Sequence, residues 1–144
     1  MLEKKFLQPD AMWKRVVGGH HLYSAIAIAR GSDHAHIYLA GQVGRNPDTG
    51  EIPNVGDMTS QIRKTCENIK TGLEYVGATF SDVVRSTTYT TDIEEYYRCS
   101  GVRYEYFKTD PPTSTLIQIS RLGHPDLIVE IEVEAIIEPE RLKV

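Results

Sequence analysis

The apolar residues between Met58 and Val76 repeat at helical spacing. They recur at steps of four and three positions, which places one stripe on a helix: Met58, Ile62, Cys66, Ile69, Leu73 and Val76. Asp57 or Thr59 can cap the start of this helix, and Gly77 can end it. The pattern predicts one long amphipathic helix that buries this stripe against the rest of the fold.

A second helix is predicted after Asp92. Asp92 and Glu95 have the spacing of a capping box, and further positions follow at helical spacing: Ile93, Tyr96, Tyr97, Ser100, Tyr104 and Phe107. We expect the aromatic residues to line the inner face of this helix. Pro111 and Pro112 end it, because neither residue can donate a backbone hydrogen bond.

Five segments have the composition or the alternation of strands. Residues 22–30 and 36–43 are short runs of apolar and small residues around a Gly31 turn, which predicts a hairpin. Residues 82–91 are rich in Val, Thr and Tyr, residues 113–120 resume as a strand, and residues 127–137 alternate. The order β-β-α-β-α-β-β predicts an α+β sandwich with two helices on one face of a mixed sheet.

Two helices can cover only one face of such a sheet. The other face would present Glu130, Glu132 and Glu134 beside small residues at positions 25, 27 and 40. These carboxylates either keep a solvated face soluble or line a cleft at a subunit interface. The periodicity does not distinguish between the two arrangements.

Composition and charge narrow the class of protein. With 144 residues, of which 40% are hydrophobic and 25% are charged, the chain fits one compact domain. No run approaches the roughly 18 apolar residues of a membrane span, and no secretory signal is visible, so we expect a cytoplasmic protein without a membrane partner. The net charge of −4 and the scattered basic residues argue against nucleic acid as the main partner.

The cysteines and histidines do not have the spacing of a metal or redox site. Cys66 and Cys99 lie within the helical patterns, so we interpret them as buried or half-buried thiols. No carboxylate or cysteine completes a ligand set with the histidines at positions 20, 21, 34 and 36. We therefore expect no bound metal.

Six segments, taken in order, resemble one protein family. Residues 39–43 and 46–51 are similar to the SGQ and PxTGE signature of the Rid/YjgF family, the reactive intermediate deaminases. Four later segments are similar to its helix and strand motifs: residues 61–70, 77–84, 89–93 and 129–136. The resemblance covers residues 23–137. Residues 1–17 lie outside it, and we interpret them as an N-terminal leader before a single domain, residues 18–144.

The resemblance implies a chorismate-mutase-like α+β fold assembled as a homotrimer. The sheets would line a central barrel, and small ligands would occupy clefts between subunits. In the deaminase branch of the family, imines or enamines formed from amino acids are hydrolysed to a keto acid and ammonia without a metal or an organic cofactor. An arginine clamps the substrate carboxylate, and a glutamate positions water.

The resemblance also implies a candidate site. Glu134 matches the glutamate of the final strand motif and would be the catalytic residue that orients or deprotonates water. The remaining matched positions would contact substrate: Tyr23 for the cleft tyrosine, Ala40 for a serine, Gly41 beside it, Ser100 for an asparagine, Thr113 for the arginine and Thr115 for a cysteine.

Thr113 cannot clamp a carboxylate as an arginine does. We therefore expect either a ligand other than 2-aminoacrylate or a clamp supplied from elsewhere, for which Arg121 and Arg85 are candidates. Three functions remain open: a cleft enzyme acting on a small imine, enamine or related C–N compound, a non-catalytic trimer that binds a metabolite, and the ribonuclease or translation-inhibitor activity in the family's older names. The net acidity of the chain argues against the third.

Overall fold

The computed structural model describes residues 1–144 and contains a six-stranded mixed sheet with two α-helices on one face. The strands are β1 (Glu3–Leu7), β2 (Val16–Val17), β3 (His20–His21), β4 (Ile26–Arg30), β5 (Ala35–Val43), β6 (Val83–Thr90), β7 (Thr113–Gln118) and β8 (Val129–Ile137), and the helices are α1 (Met58–Val76) and α2 (Ile93–Cys99). The large sheet has the order β1-β4-β5-β8-β6-β7, and only the β6–β7 pair is parallel. The predicted α+β architecture is confirmed from β4 through β8.

Three strands precede the predicted order. β1 pairs antiparallel with β4 and forms one edge of the sheet. β2 and β3 form a separate small hairpin, and both turn glycines, Gly18 and Gly19, have positive φ. Sequence patterning did not predict these strands, because β1 is rich in charged residues and the hairpin strands are two residues long.

The core lies between the helices and the sheet. In β8 every second residue from Val129 to Ile137 is buried, as the alternation predicts, and the residues between them are half-buried or exposed. The predicted stripe of α1 is buried against this face. Since full burial of one large apolar side chain contributes about 1.5–3 kcal/mol, the stripe is a main source of stability for the packing of α1 on the sheet.

α1 has the ends that its sequence predicts. Asp57 accepts a hydrogen bond from the backbone N–H of Ser60 at 3.0 Å. Gly77 follows the last turn in the left-handed conformation, with a φ of 96°, and its N–H donates to carbonyls of that turn. The C-terminal segment closes over this end, because the N–H of Lys143 donates to the Val76 carbonyl at 3.2 Å. Neither α1 nor α2 combines the length and the apolar character needed to cross a membrane.

α2 is shorter than the sequence predicts. It ends at Cys99, and the chain continues as a 3₁₀ helix over Ser100–Glu105. Tyr97 and Tyr104 are 61% and 78% exposed, so the prediction that they line an inner face is wrong. Tyr96 and Phe107, which the same pattern placed inside, are buried.

The 3₁₀ segment is held on β6 by Arg103. Its guanidinium donates to three hydroxyl groups, those of Ser86 at 3.2 Å, Thr88 at 3.1 Å and Tyr96 at 2.8 Å. It also lies 4.8 Å from the centre of the Phe107 ring. Helical spacing does not indicate these contacts with β6, so the sequence pattern predicted a longer α2 than the structure has.

We expect Gly77→Ala to lower the free energy of unfolding by about 1–3 kcal/mol. Alanine disfavours the left-handed backbone at this position, and its Cβ would collide with the carbonyl oxygen of Arg141. Gly101→Ala is the control, since Gly101 has no positive φ and has open space around it, and it should change the free energy by no more than about 1 kcal/mol. Urea unfolding measures both, and equal destabilisation by the two substitutions would contradict the expected strain.

Candidate functional site

The sheet face opposite the helices carries four of the residues named from the sequence, Glu134, Arg85, Thr113 and Thr115. Glu134 of β8 lies in register with Tyr38 of β5 and with Arg85 of β6, and Arg85 lies in register with Thr113 of β7. Directly paired residues share a face of the sheet. These four side chains therefore form one row across four neighbouring strands.

A second row lies one step along β8. Glu132 pairs with Thr87, and Thr87 pairs with Thr115. A depression of about 240 Å³ lies over the two rows and is lined by both glutamates together with Tyr38, Arg85 and Thr87. We call it the β8 depression. It combines two carboxylates, a guanidinium and hydroxyl groups within one small volume.

Glu134 lies beside His36, whose Nε2 atom has no hydrogen-bond partner. Nε2 of His36 lies 3.5 Å from Oε2 of Glu134, and this nitrogen is buried and makes no hydrogen bond. The His36 ring stacks on Tyr38 with 4.1 Å between centroids, and the Tyr38 hydroxyl lies 3.2 Å from Nδ1. The side chain of Glu134 remains 37% exposed, so it is held beside His36 but is open to solvent or ligand.

Glu130 lies in a different cavity. This cavity measures about 220 Å³, and its wall includes Trp13, Arg15, Tyr23, Gly41, Arg45 and Glu130. We call it the Tyr23 cleft. β5 breaks its register with β8 between Leu39 and Gln42, and within that irregularity the Glu130 carboxyl lies directly against Gly41. A Cβ at position 41 would collide with this carboxyl, so the close approach requires a glycine or a shift of Glu130.

The surroundings of the Tyr23 cleft change the protonation of two of its groups. Burial raises the pKa of Glu130, and the nearby charge of Glu132 raises it further. Burial also raises the pKa of Tyr23, the charge of Glu130 adds to this effect, and Arg15 and Arg45 oppose it. The surroundings of Glu130 therefore favour its protonated form more than water does.

Side-chain amides hold the walls of the Tyr23 cleft. Gln8 donates to the carbonyl of Tyr23 at 2.6 Å and accepts from the N–H of Ala25 at 3.3 Å, which fixes the segment before β4. Asn68 of α1 donates to the carbonyls of Val43 and Arg45, both at 2.9 Å, which fixes the end of β5. The cleft is thus built by the N-terminal segment on one side and by the helix on the other.

The other predicted residues lie apart from these two cavities or at their margins. Ser100 borders a separate depression beside Pro111 and Pro112, and Ala40 is half-buried at the β5 irregularity. Thr113 donates to the carbonyl of Val84 at 3.1 Å, and Arg121 is exposed and donates to its neighbour's carbonyl at 3.0 Å. Within one chain, Tyr23 therefore lies near Gly41, and Glu134 lies on the same face as Thr113 and Thr115. The two groups lie apart from each other.

Sequence reasoning missed the charged wall of the Tyr23 cleft. Glu130 was placed on the correct face of β8, but alternation cannot show which glutamate the rest of the chain covers. Trp13 and Arg15 belong to residues 1–17, which we had interpreted as a leader, and Arg45 lies in a loop. The glycine at position 41 was the one local signal of a close approach in this region.

The largest surface cavity, about 420 Å³, lies on the helix side. The Tyr106 hydroxyl in it donates to Glu67 at 2.7 Å, and burial together with this bond raises the pKa of Tyr106. The Tyr106 hydroxyl and the Glu67 carboxylate are thus hydrogen-bonded to each other. No group of three or more His, Cys, Asp or Glu side chains in the chain could hold a metal ion.

We expect Glu130→Gln to stabilise the protein at pH 7. The pKa of Glu130 is higher in the folded protein than in the unfolded chain, so ionisation of Glu130 lowers the free energy of unfolding at high pH. This effect is absent below the pKa of the unfolded chain, about 4.3, where Glu130 is protonated in both states. The gain over the natural chain should therefore shrink as the pH falls toward 4, whereas Glu140→Gln, which changes an exposed carboxylate, should show no such dependence. Urea unfolding at several pH values measures it. A variant that is no more stable than the natural chain at pH 7 would contradict the burial of a costly charge.

Comparison with known proteins agrees with the fold. The sequence model of the family described as Endoribonuclease L-PSP matches residues 17–137. A RutC family protein of Pyrococcus abyssi is 38% identical over 96 residues, which are 67% of this chain and 74% of that protein. The 2-iminobutanoate/2-iminopropanoate deaminase of Escherichia coli K12 is 32% identical over 104 residues, covering 69% of this chain and 77% of the enzyme.

A solved structure repeats the architecture. RidA from the Antarctic bacterium Psychrobacter sp. superposes with a TM-score of 0.78 at 26% sequence identity, over 92% of this chain and 99% of that one. The family model covers most of the chain, and the motif resemblance predicted the same relationship. The chain therefore belongs to the Rid/YjgF family, whose sequence model is named Endoribonuclease L-PSP.

Proposed function

We propose that this protein hydrolyses a small imine, enamine or related C–N compound in clefts between the subunits of a homotrimer. The observation that supports the proposal best is the β8 depression, where Glu132 and Glu134 lie beside Arg85 and Thr87 on the sheet face that carries no helix. A relative at 32% identity is named a 2-iminobutanoate/2-iminopropanoate deaminase, which is chemistry of this kind.

The distribution of the site residues favours a shared site. Tyr23 and Gly41 lie at one cavity of the chain, and Glu134 lies at the other. The same sheet face exposes large apolar side chains in register with the site: Phe6, Tyr38, Ile117 and Ile136. Exposed apolar side chains on a common face are typical of an interface. When the face of one copy meets the next, the two groups of residues can line one cleft.

The proposed reaction needs one proton acceptor and no cofactor. Glu134 accepts a proton from water while the oxygen attacks the carbon of the C=N bond, and it returns this proton to nitrogen, which gives the carbinolamine R₂C(OH)NH₂. Glu134 then accepts the hydroxyl proton and transfers it to the same nitrogen as the C–N bond breaks, so that R₂C=NH and H₂O become R₂C=O and NH₃. The hydroxyls of Thr87 and Thr115, which lie in the adjacent row, can hydrogen-bond the substrate.

Thr113 does not supply the carboxylate clamp that an arginine at this position would provide. The Thr113 hydroxyl already donates to a backbone carbonyl, and it carries no charge. A charge-assisted hydrogen bond contributes about 1.5–3 kcal/mol, so its loss weakens a bound carboxylate by about ten- to a hundred-fold unless another cation replaces it. Thr113 by itself therefore does not support efficient hydrolysis of 2-aminoacrylate.

Glu134→Gln should reduce the rate of imine hydrolysis by about 10²–10⁴-fold, because the amide cannot accept a proton from water. Imines are generated in solution from a panel of amino acids by an amino-acid oxidase, and hydrolysis is measured against trapping of the imine by semicarbazide. Glu140→Gln is the matched control, since it makes the same chemical change at an exposed position outside both cavities.

Equal rates for the natural chain and Glu134→Gln would remove Glu134 from the mechanism. If the natural chain accelerates hydrolysis of none of the imines, catalysis of this class is wrong for this protein.

A further inference from the structure

Two arginines in the Tyr23 cleft have no acidic partner. Arg15 and Arg45 both line this cleft, and neither takes part in any ion pair of the chain. Nη1 of Arg45 donates to the carbonyl of Gly50 at 2.7 Å, and the guanidinium lies 5.3 Å from the centre of the Trp13 ring. The position of Arg45 is thus fixed by neutral groups, which leave its charge uncompensated.

The two guanidinium groups act on each other. Burial lowers the pKa of Arg45, and the positive charge of Arg15 lowers it further. Two cations in a partly desolvated cleft, neither of them ion-paired with a carboxylate, raise the free energy of the empty site. An anion bound between them removes that cost and gains charge-assisted hydrogen bonds.

Glu130, the acid that lines the same cleft, forms no ion pair with either arginine. The pKa of Glu130 is raised, with burial as the first cause and Glu132 of the same strand as the second. The other ionisable groups that face the cleft are Tyr23, Arg15 and Arg45. The Tyr23 hydroxyl offers a hydrogen-bond donor to an anion, and the raised pKa of Glu130 lowers the cost of protonating this carboxyl when an anion binds beside it.

The size of the cleft limits the ligand. A water molecule takes about 30 Å³ in the liquid, so a cavity of about 220 Å³ holds a ligand of about seven heavy atoms. Guanidinium groups bind planar carboxylates through paired N–H donors, and Trp13, Leu22 and Leu127 offer apolar surface for a short carbon chain. The chemistry and the volume together fit a small organic acid.

We propose that Arg15 and Arg45 bind the carboxylate of a small organic acid in the Tyr23 cleft and replace the arginine that the family carries at the position of Thr113. The inference rests on the proposed function, because it names the charged group of that enzyme's substrate and product. Arg15 and Trp13 precede the region matched by the family model, residues 17–137, so this clamp is supplied in part by the N-terminal segment.

Binding of butanoate and butanamide to the intact protein tests the proposal. The two ligands have nearly the same shape and differ in charge, and calorimetry gives both affinities without any turnover. Trp13 is the one tryptophan of the chain, so its fluorescence reports occupancy of this cleft. Butanoate should bind at least about tenfold more tightly than butanamide.

Arg15→Gln should lower the affinity for butanoate by about tenfold or more and leave the affinity for butanamide unchanged. Arg45 also holds Gly50, so Arg45→Lys, which keeps the charge, serves as the second variant and should lose less affinity than Arg15→Gln. Arg98→Gln is the control, because Arg98 lies on the exposed side of α2 and pairs with Glu95. It should bind butanoate like the natural chain.

Equal affinity for the two ligands, or unchanged butanoate binding by Arg15→Gln, would overturn the assignment. Loss of butanoate binding in Arg85→Gln but not in Arg15→Gln would move the clamp to the β8 depression and would also overturn it. Inorganic phosphate that binds as tightly as butanoate would show an anion site without preference for carboxylate and would overturn the assignment to an organic acid. Failure of imine hydrolysis with intact butanoate binding would instead reject the proposed function and leave the clamp standing.

Discussion

The fold depends on a sheet of six strands that has helices on only one of its faces. On the covered face, α1 and the 3₁₀ segment after α2 bury the apolar residues of β4, β5 and β8. No helix covers the other face, and Tyr38, Ile117 and Ile136 remain about 40% exposed on it together with Glu132 and Glu134. Exposure of these apolar side chains to water is unfavourable, and association with further copies of the chain would bury them. The proposed site and the proposed trimer both follow from this single asymmetry.

The three glutamates of β8 show how the surroundings of a residue determine what it can do. They occupy alternate positions of one strand and point to the same side. Glu130 is covered by the N-terminal segment and lies against Gly41, which favours its neutral form. Glu134 lies beside His36 and in register with Arg85, on the open part of the sheet. A carboxyl with a raised pKa is more easily protonated beside a bound anion, and an accessible carboxylate is suited to accept a proton from water.

Much of the fold could be predicted from sequence because it depends on local periodicity. The stripe of α1, its Asp57 cap, its Gly77 end and the alternation of β8 all follow from spacing of three, four or two residues. The pattern failed where distant contacts decide the structure. Arg103 binds hydroxyls of β6 from the 3₁₀ segment that replaces the predicted end of α2, and β1 pairs with β4.

The candidate site was less predictable for the same reason. Motif resemblance named Tyr23, Gly41 and Glu134, but it gave no indication that one chain divides them between two cavities. Arg15 and Arg45 are thirty positions apart, and no local signal relates them to each other or to Glu130. Their proximity arises from the folding of the N-terminal segment over the end of β5, which only the three-dimensional structure contains.

Sedimentation equilibrium at micromolar concentration tests the central claim that the uncovered sheet face is an interface between copies. A chain of 16.2 kDa should sediment as a single species of about 49 kDa, and replacement of Tyr38 by Glu on that face should shift it toward the monomer. A natural chain that sediments at 16.2 kDa would contradict the account, because Glu134 and Tyr23 would then have no shared cleft.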